Sequence, residues 1–235
     1  MAVYVWAFRR QSDAMTDFTY SFCFFIVTAL LLFVYGKLSP GRIVLASMIF
    51  IWSLRLGGFL FYRIQKMKRD NRFDSFRQDP KGFLKFWLLQ SGSIWILILP
   101  VIAGLTTTNV VSVHLPAVLL FLVGLSIETA ADWQKFRHKT AFGPSSYIQT
   151  GLYSSIRHPN YLGEILIWIS VFWYVLPILS GWSWISLFSP IWISVLLIFI
   201  SGIPLIEKAN KTKYKDNKDY HAYLKRTNRL IPLLY

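Results

Sequence analysis

The sequence predicts an all-α, polytopic membrane protein: a helix bundle of about six transmembrane helices forming one domain over residues 1–235. Three observations predict it. Of the 235 residues, 54% are hydrophobic and only 15% are charged, too apolar for a water-soluble domain. The apolar residues stand in long runs, without the alternation of a half-buried strand. The net charge is +14, and the cations gather in alternate connecting segments.

Six runs are long enough to span or nearly span a bilayer, at about 18–36, 42–62, 86–106, 111–134, 161–180 and 183–206. Ser39-Pro40-Gly41 separates the first two, Asp79-Pro80 precedes the third, and Ser180-Gly181 lies between the last two. The fourth run carries Glu128 and Asp132 in its last turn, and the fifth ends near Pro177. Residues 1–8 are apolar but precede Arg9-Arg10, the reverse order of a secretory signal, so no cleaved leader is expected. An interfacial or seventh helix at the N-terminus is the alternative to six.

With six spans, the N-terminus, the 63–85 loop, the 134–160 loop and the tail after 206 share one side and hold 22 of the 25 basic residues. That side is cytoplasmic by the positive-inside rule, which places both termini there. Much of the charge is a topology signal and an attraction to anionic membrane lipid. Nucleic acid is excluded as a partner, because no separate soluble domain presents the cations. The 63–85 loop is expected to fold onto the cytoplasmic face, and the apolar end of the tail to dock back on the bundle. Oligomeric state is not readable from the sequence. The one cysteine, Cys23, lies in an apolar run, and the four histidines have no metal-ligand spacing. Neither a disulfide within the chain nor a metal site is expected.

The chemistry-bearing residues cluster at the fourth and fifth runs. Glu128 and Asp132 are four apart and share a helix face, which Lys135 and Lys139 continue. Asn160 and Glu164 repeat that spacing at the start of the fifth run, after Arg157 and His158. Pro159 suits a first helical turn, whose free amides and Arg157 favour an anion. Carboxylates and amides for hydroxyls, beside cations for phosphates, suit a dinucleotide. The competing reading makes Lys135 and Lys139 snorkelling anchors and His158 a helix cap. Arg55 lies mid-run and needs a polar cavity or a partner, with Asp17, Glu128 and Glu164 as candidates. Tyr20 and Tyr62 are either interfacial anchors or donors to a bound carbonyl. No nucleophile–base pair supports a hydrolase.

Gly151-Leu-Tyr-Ser-Ser-Ile-Arg-His-Pro-Asn-Tyr-Leu-Gly-Glu164 resembles the signature of the steroid 5-alpha-reductase superfamily and of the sterol C14/C7 reductases. Glu128-Thr-Ala-Ala-Asp132-Trp-Gln-Lys135, Trp52-Ser-Leu-Arg55 with Arg63 and Asp70-x-Arg72, and Tyr223 to Pro232 are similar to further blocks, closest to the bacterial branch. The resemblance implies a six- or seven-helix membrane reductase that takes NADPH from the cytosol and delivers hydride to a C=C bond conjugated with a carbonyl. It implies that Asn160, Glu164 and Asp132 hold the nicotinamide and its ribose. Arg55, Arg63, Lys135, Lys139 and Arg157 would serve the phosphates, with Glu128, His158, Tyr161 and Tyr223 also at the cofactor. The sequence departs from the family pattern at two places: Glu128 replaces an asparagine, and Trp52 replaces a tyrosine. Asp17 falls about where the family's catalytic glutamate stands, so Asp17, Tyr20 and Tyr62 are the catalytic candidates. A carboxyl group there must be protonated to donate to the carbonyl, and a low-dielectric cavity favours that form.

The expected substrate is lipophilic, a 3-oxo-4-ene steroid or an isoprenoid, entering from the bilayer. A second expectation is an S-adenosylmethionine-dependent methyltransferase of the isoprenylcysteine carboxyl type, which shares Arg-His-Pro-x-Tyr. Its usual acidic and Arg/Glu block in the tail is represented here by Glu207 alone. A third is a non-enzymatic lipid-binding membrane protein.

Overall fold

The computed structural model describes residues 14–35, 38–67 and 80–231. Every helix and strand element among them is helical, apart from a single parallel bridge between Ile156 and Asn228. The α-helices are α1 (Ala14–Tyr35), α2 (Pro40–Met67), α3 (Pro80–Leu97), α4 (Leu99–Thr106), α5 (Leu115–Phe142), α6 (Pro159–Val175), α7 (Phe188–Val195), α8 (Ile203–Lys213) and α9 (Lys218–Arg226). Five stretches are long and apolar enough to cross a membrane: Pro40–Lys66, Leu84–Thr106, Leu115–Phe142, Pro159–Ile178 and Gly181–Lys213. The protein is therefore of the all-α integral membrane class. The first expected run is α1, whose apolar part among the described residues is the shorter Thr19–Tyr35. The 63–85 loop is shorter than expected at both ends, because α2 runs on to Met67 and α3 starts at Pro80; residues 68–79 lie outside the described residues.

Two further boundaries differ from expectation. The fourth run does not end at 134. Lys135, Arg137 and Lys139 are good helix formers, and α5 continues over them to Phe142, where Gly143 (φ 87°) and Pro144 stop it. Glu128 and Asp132 thus sit well inside a helix and not in its last turn. The sixth run is not one α-helix. It opens as a 3-10 turn over Gly181–Leu187, passes through α7 into a π-helical turn at Leu196–Ile200, and breaks before α8.

The chain forms two compact units. One holds residues 1–114 and 174–189. In it, Ser39 and Pro40 open α2, with the Arg42 amide 3.4 Å from Ser39 Oγ. Phe24 and Trp52, both fully buried, pack edge to face at 5.1 Å. Tyr174 donates to the Gly41 carbonyl at 2.9 Å and Ser189 to that of Leu97 at 3.1 Å. Arg42 is 4% exposed and donates to the Thr107 carbonyl.

The other unit holds residues 115–173 and 190–235. Here α5 and α6 meet backbone to backbone. A Cβ built on Gly163 would lie 2.7 Å from the Gly124 carbonyl oxygen and 2.6 Å from the Glu128 nitrogen; one on Gly124 would lie 2.8 Å from the Gly163 carbonyl oxygen. Only glycine permits that approach, which gains close van der Waals contact between helices in a medium that supplies little hydrophobic drive. The tail docks on this unit as far as buried Leu230; residues 232–235 of the apolar end expected to dock lie outside the described residues. Arg157 N donates to the Asn228 carbonyl at 2.9 Å and His158 N to that of Arg229 at 3.1 Å. Tyr147 packs on Tyr214, Tyr220 and Tyr223 with centroids 5.1, 4.9 and 5.9 Å away, and Tyr223 donates to the Tyr153 carbonyl at 2.9 Å.

Candidate functional site

Within the second unit the glycine contact brings the two acid-bearing helices together. Glu128 is 3% exposed, and its backbone lies against Gly163, the residue before Glu164. One turn further along α5 is Asp132, half-buried and an electrostatic neighbour of the buried Tyr153, whose phenol burial pushes well above its ordinary range. The next turn carries Lys135, which with Arg157 disfavours a charge on His158. Asn160, Tyr161 and Glu164 are half-buried on the first turns of α6. Gln134 anchors the segment between the helices: its Oε1 accepts the Leu152 amide at 3.0 Å, and Gly151 (φ 62°) turns against it with no room for a Cβ.

Glu207 on α8 is the residue that sequence reasoning left out of the site. Its Oε1 accepts from Arg157 Nε at 3.1 Å and lies 3.8 Å from His158 Nε2, while Oε2 lies 3.3 Å from Arg229 Nε. Arg157 also donates through Nη1 to the carbonyls of Leu224 and Thr227, at 3.1 and 2.5 Å. Two of the donors of Arg157, a cation expected to serve phosphates, thus hold the tail, because burial at 13% exposure demands partners. His158 does not cap α6 through its ring. Its backbone carbonyl accepts the Tyr161 and Leu162 amides, and the ring stacks on Tyr161, 5.6 Å away and 8° from parallel. Burial holds the imidazole below its usual pKa, against the pull of Glu207. Tyr223, expected at the cofactor, is 4% exposed and occupied with Tyr153; burial raises its phenol to about 12.

Lys139 is half-buried on α5, one turn beyond Lys135, and the remaining expected residues belong to the first unit. Arg55 is half-buried, its guanidinium 5.7 Å from the Phe59 ring centre. Arg63 is half-buried and Tyr62 is 39% exposed near the end of α2. Tyr20 packs edge-on against Phe24 at 5.2 Å. Asp17 lies on α1, with its side chain outside the described residues. Trp52, where the resemblance leads one to expect a tyrosine, is fully buried. Among the described residues no group of histidine, cysteine and carboxylate side chains is placed to hold a metal ion.

A family model described as a protein of unknown function, DUF1295, matches residues 3–227. The chain belongs to the DUF1295 family. This family is associated with steroid 5-alpha-reductase-like proteins, and the match covers both units of this DUF1295 protein, from α1 to Thr227. Comparison with curated proteins and comparison with solved structures gave no match.

Proposed function

We propose that this DUF1295 protein is an NADPH-dependent membrane reductase acting on a carbonyl-conjugated C=C bond of a lipophilic substrate, a 3-oxo-4-ene steroid or an isoprenoid-like compound. The observation that carries the reading is the backbone contact at Gly124 and Gly163. It sets buried Glu128 beside the helix that bears Asn160 and Glu164. Ionisable residues inside membrane helices are rare and mark binding and transfer sites.

The donor set fits the group. Glu128, Asp132 and Glu164 suit ribose hydroxyls, Asn160 suits a carboxamide, and Lys135 and Lys139, half-buried on α5, suit phosphates. A bound nucleotide would supply the hydride for the β-carbon, and a solvent-derived proton would complete the reduction at the α-carbon. This chain's part is to orient the nucleotide, exclude water, and donate a hydrogen bond to the carbonyl oxygen, where charge builds. Asp17, Tyr20 and Tyr62 are the proposed donors. The cofactor face is cytoplasmic, in a bacterial inner membrane.

One observation favours a second reading. Glu207 stands 3.1 Å from Arg157 and 3.8 Å from His158, so a tail carboxylate does reach the Arg-His-Pro-x-Tyr motif, as the S-adenosylmethionine-dependent methyltransferase reading asks. Thermal unfolding in detergent with NADPH, NADH or S-adenosylmethionine separates the two, since a ligand that binds the folded state raises its stability. NADPH is expected to raise the Tm, and Asn160→Ala or Glu164→Gln to diminish that rise. Stabilisation by the methyl donor with none by NADPH overturns the reductase.

A further inference from the structure

On the face of α8 lies an open groove of about 490 Å³ that Glu207 lines together with Ile198, Phe199, Ile203, Lys208, Lys211 and Arg229, among others. It lies where the sixth run is irregular: the π-helical turn at Leu196–Ile200 ends and α8 begins just where the apolar sequence gives way to a polar one. The groove has two chemistries along its length. Ile198, Phe199 and Ile203 belong to the apolar span, and Phe199 is 69% exposed. Lys208 and Lys211, both exposed, stand one to two turns further on, at the level where that span emerges. Arg229 reaches the same groove from the tail, its Nε held by Glu207 at 3.3 Å. Glu207 is itself offset by Arg157 as well as Arg229, so Lys208 and Lys211 leave the groove cationic.

We infer that this groove is a binding site for one anionic phospholipid. The phosphodiester headgroup would lie between Lys208, Lys211 and Arg229, and the first methylenes of an acyl chain along Ile198, Phe199 and Ile203. Charge and position select the occupant. A cationic rim at the membrane boundary attracts anionic headgroups, and the apolar half gives a soluble anion nothing to bind. The volume falls within the range of about 300–1,000 Å³ usual for sites that take a small molecule. The inference stands on the groove alone and is independent of the reaction proposed above.

The test uses the full-length protein in neutral detergent, with its Tm followed against added phosphatidylglycerol, phosphatidylcholine or inorganic phosphate. Phosphatidylglycerol is expected to raise the Tm in a saturable way, and the other two to leave it unchanged. In Lys208→Gln/Lys211→Gln the rise should shrink by more than half. In Lys215→Gln/Lys218→Gln, which removes two tail cations outside the groove, the full rise should remain. Equal losses in the two double variants would show unspecific attraction to the basic tail and overturn the site. A full rise with inorganic phosphate, or an undiminished rise in Lys208→Gln/Lys211→Gln, would overturn it as well.

Discussion

Glu207 joins three cationic or ionisable side chains from two other parts of the second unit, and two consequences follow at the scale of the residue. Arg157 and Glu207 are 13% and 14% exposed, so removing the carboxylate charge leaves a guanidinium short of a partner in a place water reaches poorly. Hydrogen bonds to charged groups contribute about 1.5–3 kcal/mol, and Glu207→Gln should lose an amount of that order, read as a lower Tm in detergent. A change within about 0.5 kcal/mol, the range of an ordinary surface substitution, would show the cluster to be dispensable. His158 gives a pH dependence. Burial, chiefly, and the charges of Lys135 and Arg157 lower its pKa in the fold, while Glu207 opposes them. The unfolded chain therefore takes up its proton first as the pH falls below about 6.5. This part of the stability is present above pH 6.5 and is lost on acidification towards the lower folded pKa. His158→Gln should flatten the fall of Tm between about pH 6.5 and 5; equal slopes, or a wild type that gains relative to the variant on acidification, would contradict the account. Arg157 and His158 were legible from local sequence as part of a polar cluster at the start of α6. Their partner was not, because Glu207 is 50 residues away from Arg157 and no local spacing encodes that meeting.

At the scale of the helix, the pairing of α5 with α6 rests on two glycines whose neighbours are backbone atoms and so cannot swing aside. Gly163→Ala puts a methyl group 2.6 Å from the Glu128 nitrogen and 2.7 Å from the Gly124 oxygen. The helices must separate by a sizeable fraction of an ångström, at about 1–3 kcal/mol or more, and Glu128 moves with them. We expect a lower Tm together with a weaker NADPH effect. Gly92→Ala on α3 is the control. Nothing lies within 4 Å of its added Cβ, so it should be neutral or stabilising by up to about 1 kcal/mol. If Gly163→Ala behaves like the control, α5 and α6 are not locked at this point. The end of α5 was legible in principle, since Gly143-Pro144 is a strong stop; hydropathy, which ends at 134, concealed it. The contact of Gly124 with Gly163 was not legible, because a glycine in a helix declares a close approach without saying to what. The irregular sixth run has the same cause: its apolar composition fits α, 3-10 and π turns alike.

For the whole molecule the open question is the side on which each end emerges. The basic 63–85 segment orients α2, and every later span follows from it. Burial of Arg42 against the Thr107 carbonyl removes one of the two cations on the sparse side from the loop, which strengthens the asymmetry that the sequence already shows. The N-terminus then depends on α1 alone. Its 22 residues reach about 33 Å at 1.5 Å each, against about 30 Å of hydrocarbon, so α1 can cross even though its apolar part is shorter than the other spans. Crossing puts Arg9 and Arg10 on the side of the basic tail, as the positive-inside rule favours. Cys23 is the only cysteine, which makes the arrangement measurable. In a Cys23→Ser background, Asn109→Cys lies in the exposed connection before α5 and Lys215→Cys in the exposed tail. A membrane-impermeant thiol reagent should label residue 109 in intact cells, and residue 215 only after permeabilisation. Ala2→Cys should behave as residue 215 does if α1 spans, and as residue 109 does if α1 lies along the surface. Labelling of 109 and 215 from the same side would break the topology itself. It would also remove the reason for placing the Arg157–Glu164 cluster on the face where a soluble nucleotide is available.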